Sequence, residues 1–272
     1  MTPLVRAVAL LAALAVPFAV SAQKFEPQVG QAGKDVIWVP TPDEVVDRML
    51  TMAQVGPNDF HMDLGSGDGK IVIAAAKRGA KALGIEYNPD MVKVAQDNAQ
   101  KAGVADKASF RKADIFQTDF SQATVITLYL LPALNMKLRP LILSMKPGTR
   151  VVSHSFTMED WEADEISSMD GRRAYFWLVP ANVMGTWALD AGGQKTEMAL
   201  EQTFQKVNGT ITLGPVQGGL REARMRGPQI SFAYVDGSGV RRDYSGRVTG
   251  GRMEGSFRAD NGTEGRWSAT KK

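Results

Sequence analysis

The sequence predicts an α/β domain, a parallel sheet with helices on both faces, followed by a small all-β meander or barrel. Three observations predict it. From about residue 36 to 180, short β-branched runs alternate with stretches of helical period, the pattern of strands joined by crossover helices. From Ala181 onward helical periods vanish, and short alternating segments appear between Gly and Asn turns. Where the first strand of the α/β region ends, residues 61–70 read HMDLGSGDGK, a glycine-rich loop at the strand end where open α/β sheets bind ligands.

Composition bounds what such a chain can do. Its 272 residues are 44% hydrophobic and 22% charged, enough for one large or two modest domains. Acidic residues outnumber basic ones 20 to 18 over 23–181, and basic outnumber acidic 13 to 9 over 182–272. Neither segment is basic enough to argue for nucleic acid. The absence of cysteine removes disulfides, thiolate catalysis and Cys-ligated zinc. With two histidines, His61 and His154, the composition argues against a His-rich metal site, and no metal is expected.

In chain order, Arg6, the apolar run 7–20 broken by Pro17, and Ser21-Ala22-Gln23 supply the flank, short core and cleavage site of a Sec-type signal peptide. Cleavage is expected after Ala22, and the run is shorter than the roughly 20 apolar residues of a membrane span. The mature chain is therefore expected to be exported, periplasmic or secreted; an uncleaved membrane anchor is the alternative. That leaves 23–180 as the α/β domain and 181–272 as the β domain.

Thr41-Pro42-Asp43-Glu44 reads as a capping box with Pro at the first helical position, opening a helix with Val45, Val46, Met49 and Leu50 on one side. Gly56-Pro57-Asn58 turns into a strand at 60–64. A helix at 71–78 ends at Gly79, a buried strand covers 82–86, and Asn88-Pro89 caps a helix ending at Gly103. Strands are expected at 108–113 and 124–130, a helix at 133–145 and, after Lys146-Pro147-Gly148, a strand at 150–156. In the β domain, strands are expected at 185–189, 197–207, 209–213, 217–223, 229–235, 240–248, 252–258 and 264–269. Val207-Asn208-Gly209-Thr210 and Val235-Asp236-Gly237-Ser238 read as hairpin turns. Eight hairpin-linked strands would close into a small barrel.

Spacing decides what the glycine loop holds. The dinucleotide fingerprint fails because Lys70 stands where its third Gly belongs. The P-loop fails because Leu64 replaces its first Gly and Ile71 its Ser or Thr. What survives is acid-x-G-x-G-x-G: Asp63, Gly65, Gly67 and Gly69. This resembles motif I of class I S-adenosylmethionine-dependent methyltransferases, whose Rossmann-like sheet binds that methyl donor. The resemblance continues at Glu86 in GIEYNP, where the family's acid accepts both ribose hydroxyls, and at Asp114 in KADIF, where the family's acid or amide meets the adenine amino group. Residue chemistry agrees: a carboxylate can accept two hydroxyls, and Asp63 can meet the donor's ammonium directly or through water. For Asp114 and Asp68 the structural alternative is a helix cap.

VIWVPTP (36–42), DLGSGDG, GIEYNP, TLYLLP (127–132) and KPGTRVVSHSF narrow the resemblance. Over about 34–160 the chain is similar to bacterial relatives of the lysine methyltransferase that modifies the membrane-embedded c-subunit of ATP synthase, and more distantly to non-SET histone lysine methyltransferases. That resemblance implies Thr41 near the cosubstrate, Tyr129 to Pro132 along an acceptor channel, and a protein lysine as acceptor, in that family membrane-associated. A small-molecule acceptor remains the other chemistry, and an exported non-catalytic binding module the rival class. Tyr129 is the candidate for orienting the nucleophile, against packing at a strand end. His154 is a candidate base, against a hydrogen-bonded structural histidine; His61, inside a strand, is read as structural. Glu159, Asp160, Trp161 and Glu162 could rim the site for a cationic substrate, against ordinary solvated surface. Gly185-Thr186-Trp187 and Arg266-Trp267 resemble calycin barrels, where a Trp and an Arg close one end.

Overall fold

The computed structural model describes residues 25–213 and 216–272. The expected signal peptide and its cleavage after Ala22 lie outside the described residues. Among those described, no helix is long and apolar enough to cross a membrane.

The α/β region contains α1 (Asp43–Met52), β1 (Phe60–Leu64), α2 (Lys70–Lys77), β2 (Lys81–Glu86), α3 (Pro89–Lys101), β3 (Ala108–Lys112), β4 (Val125–Leu128), α4 (Pro132–Leu143) and β5 (Arg150–His154). Two further strands, β6 (Glu165–Met169) and β7 (Arg172–Leu178), form a hairpin on the sheet edge. Strand order is β3-β2-β1-β4-β5-β7-β6, with β1 to β5 parallel and β7 antiparallel to β5. Successive strands leave β1 in opposite directions, so the crevice above β1 and β4 is the topological switch point.

Side-chain alternation sets the two faces. Met62, Leu64, Ile126, Leu128 and Val151 pack with Leu138 and Ile142 of α4. Ala82, Val125, Val152 and Phe176 pack on the other face with Val46, Met49 and Leu50 of α1, Val72 and Ala75 of α2, and Val92 and Ala95 of α3. His61 and Asp63 alternate with Met62 and Leu64, so they point toward the second face.

Three local expectations change. The capping box does not form: α1 has no side-chain cap, Val45 and Val46 N–H donate to the Pro42 carbonyl, and the Thr41 hydroxyl is bonded to His154 instead. The strand expected over 124–130 ends at Leu128, releasing Tyr129 to Leu131 from the sheet. The strand expected over 150–156 ends at His154, because Ser155 takes a φ of 62° and redirects Phe156.

The β region comprises β8 (Gly185–Ala191), β9 (Gln194–Thr203), β10 (Lys206–Leu213), β11 (Val216–Gly219), β12 (Arg221–Arg226), β13 (Gln229–Val235), β14 (Arg241–Thr249), β15 (Arg252–Ala259) and β16 (Glu264–Lys271). Pairing of β16 with β8 and of β9 with β10 closes an antiparallel barrel of eight staves, in which β11 and β12 share one edge of β10. Its interior is filled by side chains including Trp187, Met198, Phe232, Tyr244, Met253 and Trp267.

The turn expected at Asn208-Gly209 lies instead within β10. Gly209 is needed there for close strand approach: a Cβ would stand 2.3 Å from the Ala199 carbonyl oxygen. The turn falls at Phe204-Gln205, with Phe204 at a φ of 54°. The expected turn after Val235 forms, held by Asp236 Oδ1 accepting from Ser238 and Val240 N–H. Arg266 is exposed, so it does not close the barrel with Trp187, whose indole N–H donates to the Val183 carbonyl.

Phe204 also seats the barrel on the sheet, stacking on Trp161 with centroids 5.9 Å apart. Lys206 Nζ bonds Glu162 Oε1 at 2.6 Å, Gln205 Nε2 donates to the Glu162 carbonyl, and Arg139 pairs with Asp160. The acidic segment 159–162 pairs Asp160 and Glu162 within the chain, buries Trp161 fully and contributes no residue to the cavity at the strand ends. It does not form the expected rim.

Candidate active site

One cavity of ≈ 340 Å³ opens at the carboxyl ends of β1, β2 and β4, and it brings together Thr41, Asp63, Gly65, Gly67, Asp68, Glu86, Asp114 and Tyr129. Gly69 lies just beneath it, at the start of α2, with a φ of 83° and the Phe110 ring where a Cβ would be.

The loop's amides are already committed. Gly65 and Ser66 N–H donate to the Ile85 carbonyl, Gly69 N–H to the Ser66 carbonyl, and Gly67 N–H to Glu86 Oε2 at 3.0 Å. A phosphate-binding loop keeps such donors for its ligand; this one uses them to hold its own shape. What faces the cavity is a set of carboxylates.

Each carboxylate is held differently. Glu86, the last residue of β2, accepts from Gly67 N–H through one oxygen and from Asn88 N–H at 2.8 Å through the other. Each oxygen keeps lone-pair capacity for a further donor. Asp63 is 3% exposed and accepts from the Thr127 hydroxyl at 2.7 Å. Burial, reinforced by the charges of Asp68 and Glu86, pushes its carboxyl up to about 7. Burial also raises Asp68, whose Oδ1 accepts from Lys70 N–H. Asp114 lines the cavity, and its Oδ1 accepts from Phe116 N–H to close a turn, with no helix following for it to cap. Its other oxygen accepts from Lys34 Nζ at 2.6 Å, and that bond holds its carboxyl below the ordinary range.

Lys34 and Trp38 are site residues that sequence reasoning missed. They lie on a strap in which Gly30 N–H donates to the Trp38 carbonyl and Trp38 N–H to the Gln31 carbonyl. The strap crosses the cavity: a Cβ on Gly67 would stand 2.6 Å from Trp38 Nε1, and the Lys34 ammonium sits 4.8 Å from the Tyr87 ring centre. The signal available was a lone Trp in the otherwise aliphatic VIWVP.

At the other end the walls are Val39, Tyr129, Leu131, Leu134 and Phe156. Pro132, expected in this channel, instead starts α4 and does not join the wall. His154 lies behind the wall, 2% exposed, its ring centre 4.0 Å from that of Tyr129 and its Nδ1 3.2 Å from Thr41 Oγ1. Burial, with a contribution from Arg172, brings its imidazole down to about 4. It is neutral at pH 7 and supports two cavity residues from behind.

A sheet of this order, with acids at the ends of its first three strands facing one cavity, defines a class I S-adenosylmethionine-dependent methyltransferase. The model of the ANTKMT methyltransferase domain matches residues 63–165. A protein-lysine N-methyltransferase of Saccharolobus islandicus is 45% identical over 138 residues, which are 50% of this chain and 86% of that one. The mouse lysine N-methyltransferase named for the ATP synthase c-subunit is 29% identical over 180 residues, covering 60% and 72%. A solved structure described as an RNA methyltransferase from Salinibacter ruber, in complex with S-adenosyl-L-homocysteine, is 52% identical, with a TM-score of 0.52, over 53% of this chain and 96% of that one. The chain belongs to the methyltransferase family that contains these proteins.

The cavity fits the donor. Glu86 offers two acceptor oxygens on a rigid strand end, and Asp63 a buried carboxylate for an ammonium. Ser66 Oγ, buried within the loop, has no hydrogen-bond partner among the described residues.

Proposed function

We propose that this protein transfers the methyl group of S-adenosylmethionine to the ε-amino group of a protein lysine, outside the cytoplasm. The observation that carries the acceptor is the 45% identity to a protein-lysine N-methyltransferase over 86% of that protein's length. In the proposed roles Glu86 accepts the ribose hydroxyls, Asp114 the adenine amino group and Asp63 the ammonium, while Gly65, Gly67 and Gly69 let the backbone pass close. Asp68 caps the loop, and Thr41 lies beside the cosubstrate.

When bound, the donor supplies an electrophilic methyl carbon. The chain's part is then to position and desolvate the nucleophile. Tyr129, Leu131, Leu134 and Phe156 exclude water, which favours the neutral amine that can attack. Tyr129 orients that amine, and His154 and Thr41 fix Tyr129's side of the wall. The proton released by the amine passes to solvent.

RNA is the second reading, favoured by the 52% identical solved relative described as an RNA methyltransferase. Charge weighs against it, since residues 23–181 carry 20 acidic against 18 basic side chains. Export rests on Arg6, the run 7–20 and Ser21-Ala22-Gln23. Separate sheets and separate cores support the division into 23–180 and 181–272.

Mature protein incubated with methyl-labelled donor and an envelope extract tests the acceptor. Label on a protein band, recovered as methyl-lysine, supports the proposal. Label in RNA moves the assignment to the second reading, and label in the lipid or small-molecule fraction sinks both. Amino-terminal sequencing of the exported protein should begin at Gln23.

A further inference from the structure

The most deeply buried titratable side chain of the sheet has no part in the roles above. His61 is fully buried, its Nε2 lies 2.8 Å from Thr127 Oγ1, and its Nδ1 has no hydrogen-bond partner among the described residues. Thr127 is fully buried as well, and its hydroxyl donates to Asp63 Oδ1 at 2.7 Å. Asp63 and Thr127 are register partners on β1 and β4, and His61 lies two residues before Asp63 on the same face. The three side chains form one line ending at the cavity.

Proton counting fixes the direction of that line. The hydroxyl has one hydrogen, committed to the carboxylate, so its oxygen must accept from His61 Nε2–H. Burial brings the imidazole down to about 3, so it is neutral and its Nδ1 is bare. A valine or leucine at position 61 would serve the core without leaving a buried nitrogen unpaired. The imidazole's one described bond is to the group that holds Asp63.

We propose that His61 and Thr127 are positioning residues for the methyl donor: together they fix the Asp63 carboxylate with one oxygen bonded inward, leaving the other for the donor's ammonium. The proposal rests on the cosubstrate role given to Asp63 above.

Other charges around the line are accounted for. Asp59, two residues before His61, is tied to Arg150, Thr124 and Gly56 N–H. Asp68 and Glu86 approach Asp63 from the loop and β2. Lys70 of α2 turns away to Asp43 at 3.0 Å. The helices packed on this face contribute apolar side chains, among them Val46, Leu50, Val72 and Ala75. Thr127 is thus the uncharged group through which Asp63 is restrained. Its bond favours the ionised carboxyl, opposing the burial that raises it. Removing the bond should move the carboxyl's titration upward and weaken donor binding at neutral pH.

The test is calorimetric titration of S-adenosylhomocysteine, which carries the same ammonium, into wild type, Thr127→Val, Thr127→Ser and His61→Leu between pH 6 and 9. Wild-type affinity should fall as pH drops through the Asp63 titration. Thr127→Val should weaken binding about tenfold at pH 7, the worth of one charge-assisted bond, and shift the midpoint of the profile upward. Thr127→Ser should restore both, and His61→Leu should shift the midpoint in the same direction by less. A purely structural pair would lower the melting temperature and leave the midpoint in place. An unchanged midpoint in Thr127→Val overturns the proposal, and Thr127→Val carries the test even where His61→Leu fails to fold. No binding by wild type at any pH refutes instead the cosubstrate role on which it rests.

Discussion

Replacing Glu86 with glutamine keeps the side chain's volume and removes half of its accepting capacity. In the native site its two oxygens accept from Gly67 N–H at 3.0 Å and Asn88 N–H at 2.8 Å. A glutamine amide must turn its NH₂ toward one of those backbone donors, so the loop loses one anchor while the ribose loses one acceptor. A hydrogen bond to a charged group contributes about 1.5–3 kcal/mol. Losing one hydroxyl bond outright and the charge assistance of the other should therefore cost roughly 3 kcal/mol, about two orders of magnitude in Kd. The assay is calorimetric titration of S-adenosylhomocysteine at pH 8, above the Asp63 titration near 7, so that Asp63 is charged in both proteins. An affinity within threefold of wild type refutes the ribose role of Glu86, whatever happens to stability.

Three further outcomes follow from the same geometry. Trp38→Ala removes the indole that lies over Gly67, a loss of apolar cover worth on the order of 1–2 kcal/mol, and should weaken S-adenosylhomocysteine binding about tenfold by faster release; an unchanged off-rate in stopped-flow fluorescence refutes the strap's part in the site. Gly69→Ala places a Cβ 2.7 Å from Phe110 Cζ at a φ of 83°, so left-handed strain and overpacking should together cost about 3 kcal/mol; a urea midpoint equal to wild type contradicts this. Burial holds the His154 imidazole down to about 4 against an ordinary 6.5, so the stability it contributes is complete above pH 6.5 and lost as pH falls toward 4. The folded Asp63 carboxyl, raised to about 7, has the opposite sign over that window. The difference between wild type and His154→Gln in urea unfolding at pH 7.5 and 4.5 isolates the imidazole, and identical pH dependence in the two proteins would be the contrary result.

How legible the site was depended on how local its physics is. Asp63, Glu86 and Asp114 could be read because each acid stands at or just past the end of its own strand, and the sheet order brings strand ends together. Lys34 could not, because its partner is 80 residues away and nothing near it in sequence marks the pairing. His61 and Thr127 escaped for the same reason, since only the register of β1 on β4 aligns them. Thr41 was misread as a cap because its competing partner, His154, lies 113 residues away. In the fold, β6 and β7 were missed although Asp170-Gly171, with φ of 45° and 79°, is a strong hairpin signal. The edge strand β6 alternates too weakly to draw attention, with Glu165 and Ile166 both exposed. Asn208-Gly209 failed in the opposite way: the same dipeptide chemistry suits a turn or a tight strand approach, and only the packing of Ala199 decides between them.

The carboxylates around the cavity also bear on turnover. Asp63, Asp68, Glu86 and Asp114 make its polar lining predominantly anionic, relieved in part by Lys34 on Asp114. The methyl donor is a sulfonium cation and its demethylated product a neutral thioether, so one unit of positive charge leaves with the methyl group. An acidic enclosure therefore holds the spent molecule less tightly than the fresh one. The same acids that admit the donor thus favour its exchange after each transfer.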